Sequence, residues 1–178
     1  MSANDGAGQV MDKNHLLLYD TNLVDNVTAV RHGNGRDWWV VLPRGKSDAI
    51  YLFLLDPEGI HGPYKQRIGD PVSLRGFTAG QIVFSPDGSK FVRVSASSDG
   101  VDIMNFDRCT GAFSCFQRLP FPSVPEGAPC GAAVSPNSRF LYVSATTKMF
   151  QYDLYIVSFA PLGDECKPMS AKLVVAPR

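Results

Sequence analysis

His32 and Asp37 are the residues of this sequence that could act together as a general base and the carboxylate that orients it. They bracket the four-residue turn GNGR. A histidine beside a carboxylate is a common arrangement for proton transfer. The alternative role is structural, because polar side chains in such turns also hold neighbouring strands together by hydrogen bonds. The pattern favours this structural role, with binding at the turn as the remaining possibility.

Trp38 and Trp39 follow this turn directly. Adjacent residues of a strand point to opposite faces, so at least one indole is expected to be wedged between packed sheets. An aromatic platform for a sugar is the functional alternative, since exposed indole faces stack well on sugar rings. Both tryptophans are therefore candidate binding positions.

Cys109 and Cys115 are six positions apart and flank the segment TGAFS. This is a hairpin-loop distance, which fits a disulfide and fits two separate thiols equally well. Catalytic signatures such as G-x-S-x-G, H-E-x-x-H, a P-loop or C-x-x-C are absent from the sequence. We therefore predict no catalytic residue, no metal site and no cofactor.

Three stretches of the chain repeat one pattern. The segments are HGNGRDWWVV at 32–41, FSPDGSKFVRV at 84–94 and VSPNSRFLYV at 134–143. Ser, Pro, Asp and Gly suit the successive positions of a tight hairpin turn. The aromatic and β-branched residues that follow are strand formers. Each copy therefore predicts a strand, a turn and a second strand.

The spacing of the copies identifies the fold class. Trp38 and Phe91 are 53 positions apart, and Phe91 and Phe140 are 49 apart. A repeat of roughly 40 to 50 residues that holds four short strands is typical of a propeller blade. We predict an all-β partial propeller of about three four-stranded blades, near residues 27–70, 80–120 and 130–176, after a flexible segment at 1–14. The outer strands are predicted at 65–69, at 115–119, and at either 155–159 or 173–176.

The segment HLLLYD at 15–20 ends like a third strand but lies too close to Trp38 for that position. It is interpreted as one stray outer strand of an incomplete blade. A propeller needs at least about four blades to close its ring. We therefore expect either a longer parent chain or a homo-oligomer that completes the ring, in which residues 15–19 exchange between copies.

The charge balance excludes several classes of partner. Lys and Arg total 17, as do Asp and Glu, and no basic block is present. Nucleic acid binding is not expected from a neutral chain of this kind. The longest apolar run, AIYLFLL, is far shorter than the roughly 18 residues of a membrane helix, and no signal peptide is visible.

The segments FSPDGSKF and VSPNSRFLYVS resemble the blade motif of WD-repeat-like and TolB-type β-propellers. With RHGNGRDWWVV and FDRCTGAFS, the chain is most similar to uncharacterised propellers of secreted, often gliding-associated proteins of the Bacteroidetes group. This resemblance implies a secreted or cell-surface location and a larger parent protein. It implies no catalytic residues.

Two functions are compatible with these observations. The first is a non-catalytic binding module that presents its loops and channel to a protein or glycan partner. The alternative is a propeller enzyme, a lactonase or glycan hydrolase, whose site is completed by blades outside this chain. The missing catalytic signatures favour the binding module.

Overall fold

The computed structural model describes residues 10, 13–71, 80–95, 100–120, 129–145, 149–154 and 174–175. These residues form three four-stranded antiparallel sheets, each a simple meander. Blade 1 contains β1 (Thr28–Arg31), β2 (Trp38–Pro43), β3 (Ala49–Asp56) and β4 (Gly59–Arg67). Blade 2 contains β5 (Gly80–Phe84), β6 (Lys90–Ser95), β7 (Gly100–Asp107) and β8 (Ala112–Pro120). Blade 3 contains β9 (Gly131–Val134), β10 (Phe140–Ser144), β11 (Met149–Asp153) and β12 (Val174–Val175). The prediction of a partial β-propeller with three blades is confirmed.

The turn between the first and second strands has the same structure in all three blades. The N–H groups of His32, Ser85 and Ser135 donate to the carbonyls of Asp37, Lys90 and Phe140, respectively. Three residues after each donor, the backbone is left-handed, with φ of 74° at Gly35, 72° at Gly88 and 58° at Ser138. Glycine adopts this conformation without steric cost, which explains its place in two of the three turns.

These turn hydrogen bonds correct the predicted repeat register by one residue in blade 3. Phe140 is equivalent to Lys90, and the true counterpart of Trp38 and Phe91 is Leu141. The sequence comparison aligned Phe140 with Phe91 because both are aromatic. In blade 3 the first aromatic residue, Phe140, follows the five residues SPNSR, whereas in blade 2 Phe91 follows the six residues SPDGSK.

The outer strands are longer than predicted. In blade 1, β4 begins directly after the Asp56 hairpin at Gly59, whereas the sequence prediction placed it at 65–69. In blade 2, β8 begins at Ala112 instead of residue 115. Both strands pair with the preceding strand through a bulge, so one irregular position does not end the pairing. In blade 3, Val174 and Val175 pair with β11, and residues 155–159 lie outside the described part.

Each blade has an upstream face toward the preceding blade of the chain and a downstream face toward the following one. Two apolar clusters fill the interfaces between these faces. The interface of blades 1 and 2 buries Val30, Trp39, Val41, Ile50, Leu52, Ile82, Phe91, Met104, Phe106 and Phe113. The interface of blades 2 and 3 buries Val92, Val94, Val101, Ile103, Leu119, Ala132, Leu141, Val143, Ala145, Phe150, Tyr152 and Leu154.

Residues 15–19 do not form the predicted stray strand. Leu16 is 70% exposed and Tyr19 is 80% exposed. The chain is instead fixed just afterwards, where the Asp20 carboxylate accepts hydrogen bonds from Arg44 Nε at 2.6 Å and from the Tyr51 hydroxyl at 2.9 Å. Residues 15–19 pair with no strand in the described structure, so the apolar character of the three leucines alone does not produce a strand. Among the described residues, no helix has the length and apolar character of a membrane span.

Candidate functional site

His32 and Asp37 do not form the general base and carboxylate pair that their residue types allow. His32 Nδ1 accepts the Asn34 N–H at 3.0 Å, so the proton is on Nε2, which lies 3.0 Å from the carbonyl oxygen of Cys109 in blade 2. Both ring nitrogens are therefore occupied by backbone groups. This geometry matches the structural role, in which a turn side chain joins neighbouring blades, and it leaves no free nitrogen to act as a base.

Asp37 is buried and bound within its own turn. Its carboxylate accepts hydrogen bonds from Arg36 Nε at 2.7 Å and from Asn34 Nδ2 at 2.6 Å. The Arg36 guanidinium, followed by the Asn34 amide, holds the pKa of Asp37 below its usual value. A carboxylate stabilised in its charged form in this way is a poor proton acceptor. Asp37 therefore orders the turn.

The two tryptophans point to opposite faces of β2, as the strand alternation predicts. Trp39 is 7% exposed, and its Nε1 donates to the carbonyl of Arg108 at 2.9 Å. Trp38 is 39% exposed on the upstream face, and the Arg31 guanidinium carbon lies 5.5 Å from its ring centroid. Trp39 is therefore a blade contact, and Trp38 is the tryptophan that can meet a ligand.

Of the two alternatives for Cys109 and Cys115, the structure has the one without a bridge between them. Cys109 is a free, exposed thiol, whereas Cys115 is disulfide-bonded. Cys109 lies in the hairpin between β7 and β8, where the Asp107 carboxylate binds its N–H, and its sulfur is directed at Gly33 of blade 1. Cys115 lies inside β8 with a φ of 53°. The two side chains thus belong to different environments, and Cys166 lies outside the described residues.

A depression of about 410 Å³ lies along the inner strands of blades 1 and 2. We call it the β1–β5 depression. It is lined by Thr28, Ala29, Val30, Arg31, Trp38, Val83, Phe84, Ser85, Pro86 and Arg108. These ten residues include two guanidinium groups and no carboxylate, which gives the depression a positive character. Arg31 and Arg108 were not singled out from the sequence, because only the fold brings them together.

Two hydroxyl side chains line the β1–β5 depression, those of Thr28 and Ser85. Ser85 is buried and donates to the Asp87 carboxylate at 2.5 Å, while its oxygen accepts the Lys90 N–H at 2.9 Å. Within the described part of the chain, no three His, Cys, Asp or Glu side chains are grouped as metal ligands would be. What the arrangement offers is recognition, through arginine donors and an aromatic face.

A buried lysine and a buried ion pair also lie outside this depression. Lys90 is buried on the downstream face of blade 2, where desolvation lowers its pKa to about 8 despite the opposing effect of Asp87. Arg93 and Asp102 form a buried ion pair on the upstream face, and Arg93 Nη2 also donates to the carbonyl of Asp70 at 3.3 Å. Asp70 follows β4, so this pair fixes the connection between blades 1 and 2.

Comparison with known proteins supports the fold. No family model matches the chain, and no curated protein has a matching sequence. A functionally unknown protein from Desulfotomaculum acetoxidans is 16% identical with a TM-score of 0.54, over 89% of this chain and 42% of its own. A candidate 6-phosphogluconolactonase from Bacteroides uniformis is 16% identical with a TM-score of 0.50, over 83% and 38%. A Lactobacillus plantarum protein is 18% identical with a TM-score of 0.50, over 84% and 40%. The chain therefore spans about two fifths of the length of each of these three solved structures.

Proposed function

We propose that this chain is a non-catalytic binding module and that the β1–β5 depression binds an acidic glycan. The observation that carries this proposal is the meeting of Arg31, Arg108 and the half-exposed Trp38 in one cavity. Among partner classes, a glycan is favoured over a protein because a depression of about 410 Å³ has the size of a small-ligand site.

The two arginines provide the charge recognition. A guanidinium binds a carboxylate through two parallel hydrogen bonds, and such charge-assisted bonds are among the strongest in proteins. No lining residue carries a negative charge that would neutralise them from within the cavity. An acidic sugar therefore gains more from this surface than a neutral one does.

Trp38 provides the second contact. Its indole is 39% exposed and is backed by the Arg31 side chain. An aromatic ring held in one orientation stacks on a sugar ring at little cost in conformational entropy. Charge and stacking together distinguish a uronic acid polymer from an inorganic anion.

Calorimetric titration with oligomers of galacturonic acid tests the proposal, with neutral galactose oligomers as the uncharged comparison. Arg31→Gln and Arg108→Gln should each weaken binding of the acidic oligomer about ten- to hundredfold, since a charged hydrogen bond contributes about 1.5–3 kcal/mol. The matched control is Arg67→Gln, because Arg67 is a solvent-exposed arginine paired with Asp48 away from the depression. Equal binding of neutral and acidic oligomers would contradict the acidic ligand.

The second candidate function is lactone hydrolysis. It is suggested by the name of the Bacteroides uniformis neighbour, and a phosphorylated sugar lactone would also suit a positive cavity. Acid release from 6-phosphogluconolactone, compared with its spontaneous hydrolysis, tests this candidate. A rate equal to the spontaneous one in the presence of the chain would leave the binding module as the better proposal.

The location of the protein is also a proposal. Its resemblance to secreted propellers of the Bacteroidetes group supports a secreted or cell-surface location, where glycans are abundant. Cell fractionation of the source organism with an antibody against residues 28–67 would test it. Recovery of the protein with cytosolic markers would contradict this location.

A further inference from the structure

The side chain of Arg108 crosses the turn between β5 and β6 before it reaches the β1–β5 depression. Its backbone is fixed by blade 1, because its carbonyl oxygen accepts the Trp39 Nε1–H at 2.9 Å and the Gly33 N–H at 3.0 Å. The side chain then passes over Gly88, where an added Cβ would overlap Cδ of Arg108 and lie 3.2 Å from its Cγ. The missing side chain of Gly88 therefore provides the room for the arginine stem.

Backbone conformation alone does not require a glycine at this position. The equivalent residues of the three turns are all left-handed, with φ of 74° at Gly35, 72° at Gly88 and 58° at Ser138. Ser138 has a side chain in this conformation, and a Cβ added to Gly35 would meet nothing within 4 Å. Gly88 differs from both in the arginine stem that lies against it.

A side chain at position 88 would displace Arg108 and leave the core in place. The added Cβ would also lie 2.8 Å from Cγ2 of Val30, which is packed in the interface of blades 1 and 2 and has little room to move. Arg108 is half-buried, and its long side chain has other rotamers available. The arginine is therefore the group that must shift.

The guanidinium of Arg108 is not held by a partner. Among the described residues, five other arginines form ion pairs with carboxylates, namely Arg36, Arg44, Arg67, Arg93 and Arg118. Within the same described ranges, the side chain of Arg108 forms no ion pair and donates no hydrogen bond. Its donors are thus available to a ligand, and the packing of its stem determines where they point.

We propose that Gly88 is a positioning residue of the β1–β5 depression, which directs the guanidinium of Arg108 at the acidic ligand by leaving room for its stem. This inference rests on the proposed binding of an acidic glycan. Gly88 does not itself line the depression, so its effect on affinity is exerted through Arg108.

Calorimetric titration of Gly88→Ala with galacturonic acid oligomers tests this role. The matched control is Gly35→Ala, which adds the same methyl group to the same left-handed backbone in open space. Gly88→Ala should weaken binding about tenfold or more, approaching the loss in Arg108→Gln, whereas Gly35→Ala should change it less than about twofold. Gly88→Asn and Gly35→Asn form a second pair in case alanine prevents folding, because asparagine tolerates this conformation. Circular dichroism checks the fold of each variant.

The double variant Gly88→Ala/Arg108→Gln separates positioning from a general disturbance of the fold. If Gly88 acts through Arg108, the double variant should bind as weakly as Arg108→Gln alone, and additive losses would overturn the inference. A crystal structure of Gly88→Ala should show Cδ of Arg108 displaced by about 1 Å or more, the shift that restores van der Waals separation. An unmoved Arg108 would overturn the inference whatever the chain binds.

The binding data also separate this inference from the proposed function. Equal affinities of Gly88→Ala and Gly35→Ala, with weak binding by Arg108→Gln, would overturn the role of Gly88 and leave the proposed function intact. An unaltered chain that binds no acidic oligomer would overturn the proposed function, and the role of Gly88 with it.

Discussion

The indole Nε1 of Trp39 donates a hydrogen bond to the carbonyl oxygen of Arg108 at 2.9 Å, and this contact joins β2 of blade 1 to the β7–β8 hairpin of blade 2. The same carbonyl accepts the N–H of Gly33 at 3.0 Å. His32 binds the next carbonyl, that of Cys109. The turn between β1 and β2 therefore binds two successive backbone carbonyl oxygens of blade 2.

Replacing Trp39 by Phe should remove this hydrogen bond and retain most of the apolar contact. We expect the free energy of unfolding to fall by about 1–2 kcal/mol, the usual effect of one lost hydrogen bond with some lost packing. Urea denaturation measures it. Trp38→Phe is the control, because Trp38 is half-exposed and should change stability by less than about 0.5 kcal/mol. Equal losses in both variants would show that the indole hydrogen bond contributes nothing.

The corrected repeat register makes a second prediction. Phe91→Ala should lower stability by about 3–5 kcal/mol, because Phe91 is fully buried and its removal leaves a cavity. Phe140→Ala should cost clearly less, since Phe140 is half-buried at the start of β10 and its ring lies beneath the Arg139 guanidinium. Urea denaturation of both variants compares them. Equal losses of stability in the two variants would instead support the register in which Phe91 and Phe140 are counterparts.

The strands next to the turns were predictable because their signals are local. The turn residues determine where β2, β6 and β10 begin, and β2 begins at Trp38, as the sequence predicts. The exposure of Trp38 was not predictable in this way. The same strand position is buried at Phe91 and exposed at Trp38 because, among the described residues, only Phe91 is covered by a preceding blade.

The candidate site was less predictable than the fold. Arg31 and Arg108 are 77 positions apart, and only the packing of blade 1 on blade 2 brings them to one cavity. The sequence left open whether Cys109 and Cys115 are bridged or separate, because hairpin spacing does not determine side-chain direction. The bulge in β8 and the left-handed backbone of Cys115 are local features that the spacing does not reveal.

The Asp20 carboxylate should make the attachment of the N-terminal segment sensitive to acid. The hydrogen bond from Arg44, followed by that from the Asn22 N–H, lowers the pKa of Asp20 from 3.8 to about 2. Because the pKa of Asp20 is lower in the folded chain, its ionised carboxylate stabilises the fold at pH values above 3.8. This stability is lost as the pH falls toward 2. Asp20→Asn should therefore be less stable than the parent chain at neutral pH, and the difference should shrink over that acidic range. Urea denaturation at several pH values measures it, with the exposed Asp25→Asn as the control. A difference that is independent of pH would contradict the ionic attachment.

Lys90 should make the stability of the chain depend on pH in the alkaline range. It occupies the blade 2 position that Asp37 holds in blade 1, and its side chain is 7% exposed. Burial disfavours the charged amine, so its pKa falls from 10.5 to about 8, although Asp87 acts in the other direction. Between these two values the unfolded chain binds a proton that the folded chain does not, so stability contributed by this residue rises with pH.

Lys90→Met tests this directly, because methionine retains most of the length of the side chain without its charge. At neutral pH the variant should be more stable than the parent, since the cost of burying a charge is removed. The advantage should decrease as the pH rises from about 8 to 10.5. Urea denaturation in that range measures it, and the exposed Lys65→Met is the control for general effects of alkaline pH. If Lys90→Met is instead less stable at every pH, the amine is held by hydrogen bonds such as the one to Asn105 Oδ1 at 3.3 Å, and these outweigh its desolvation.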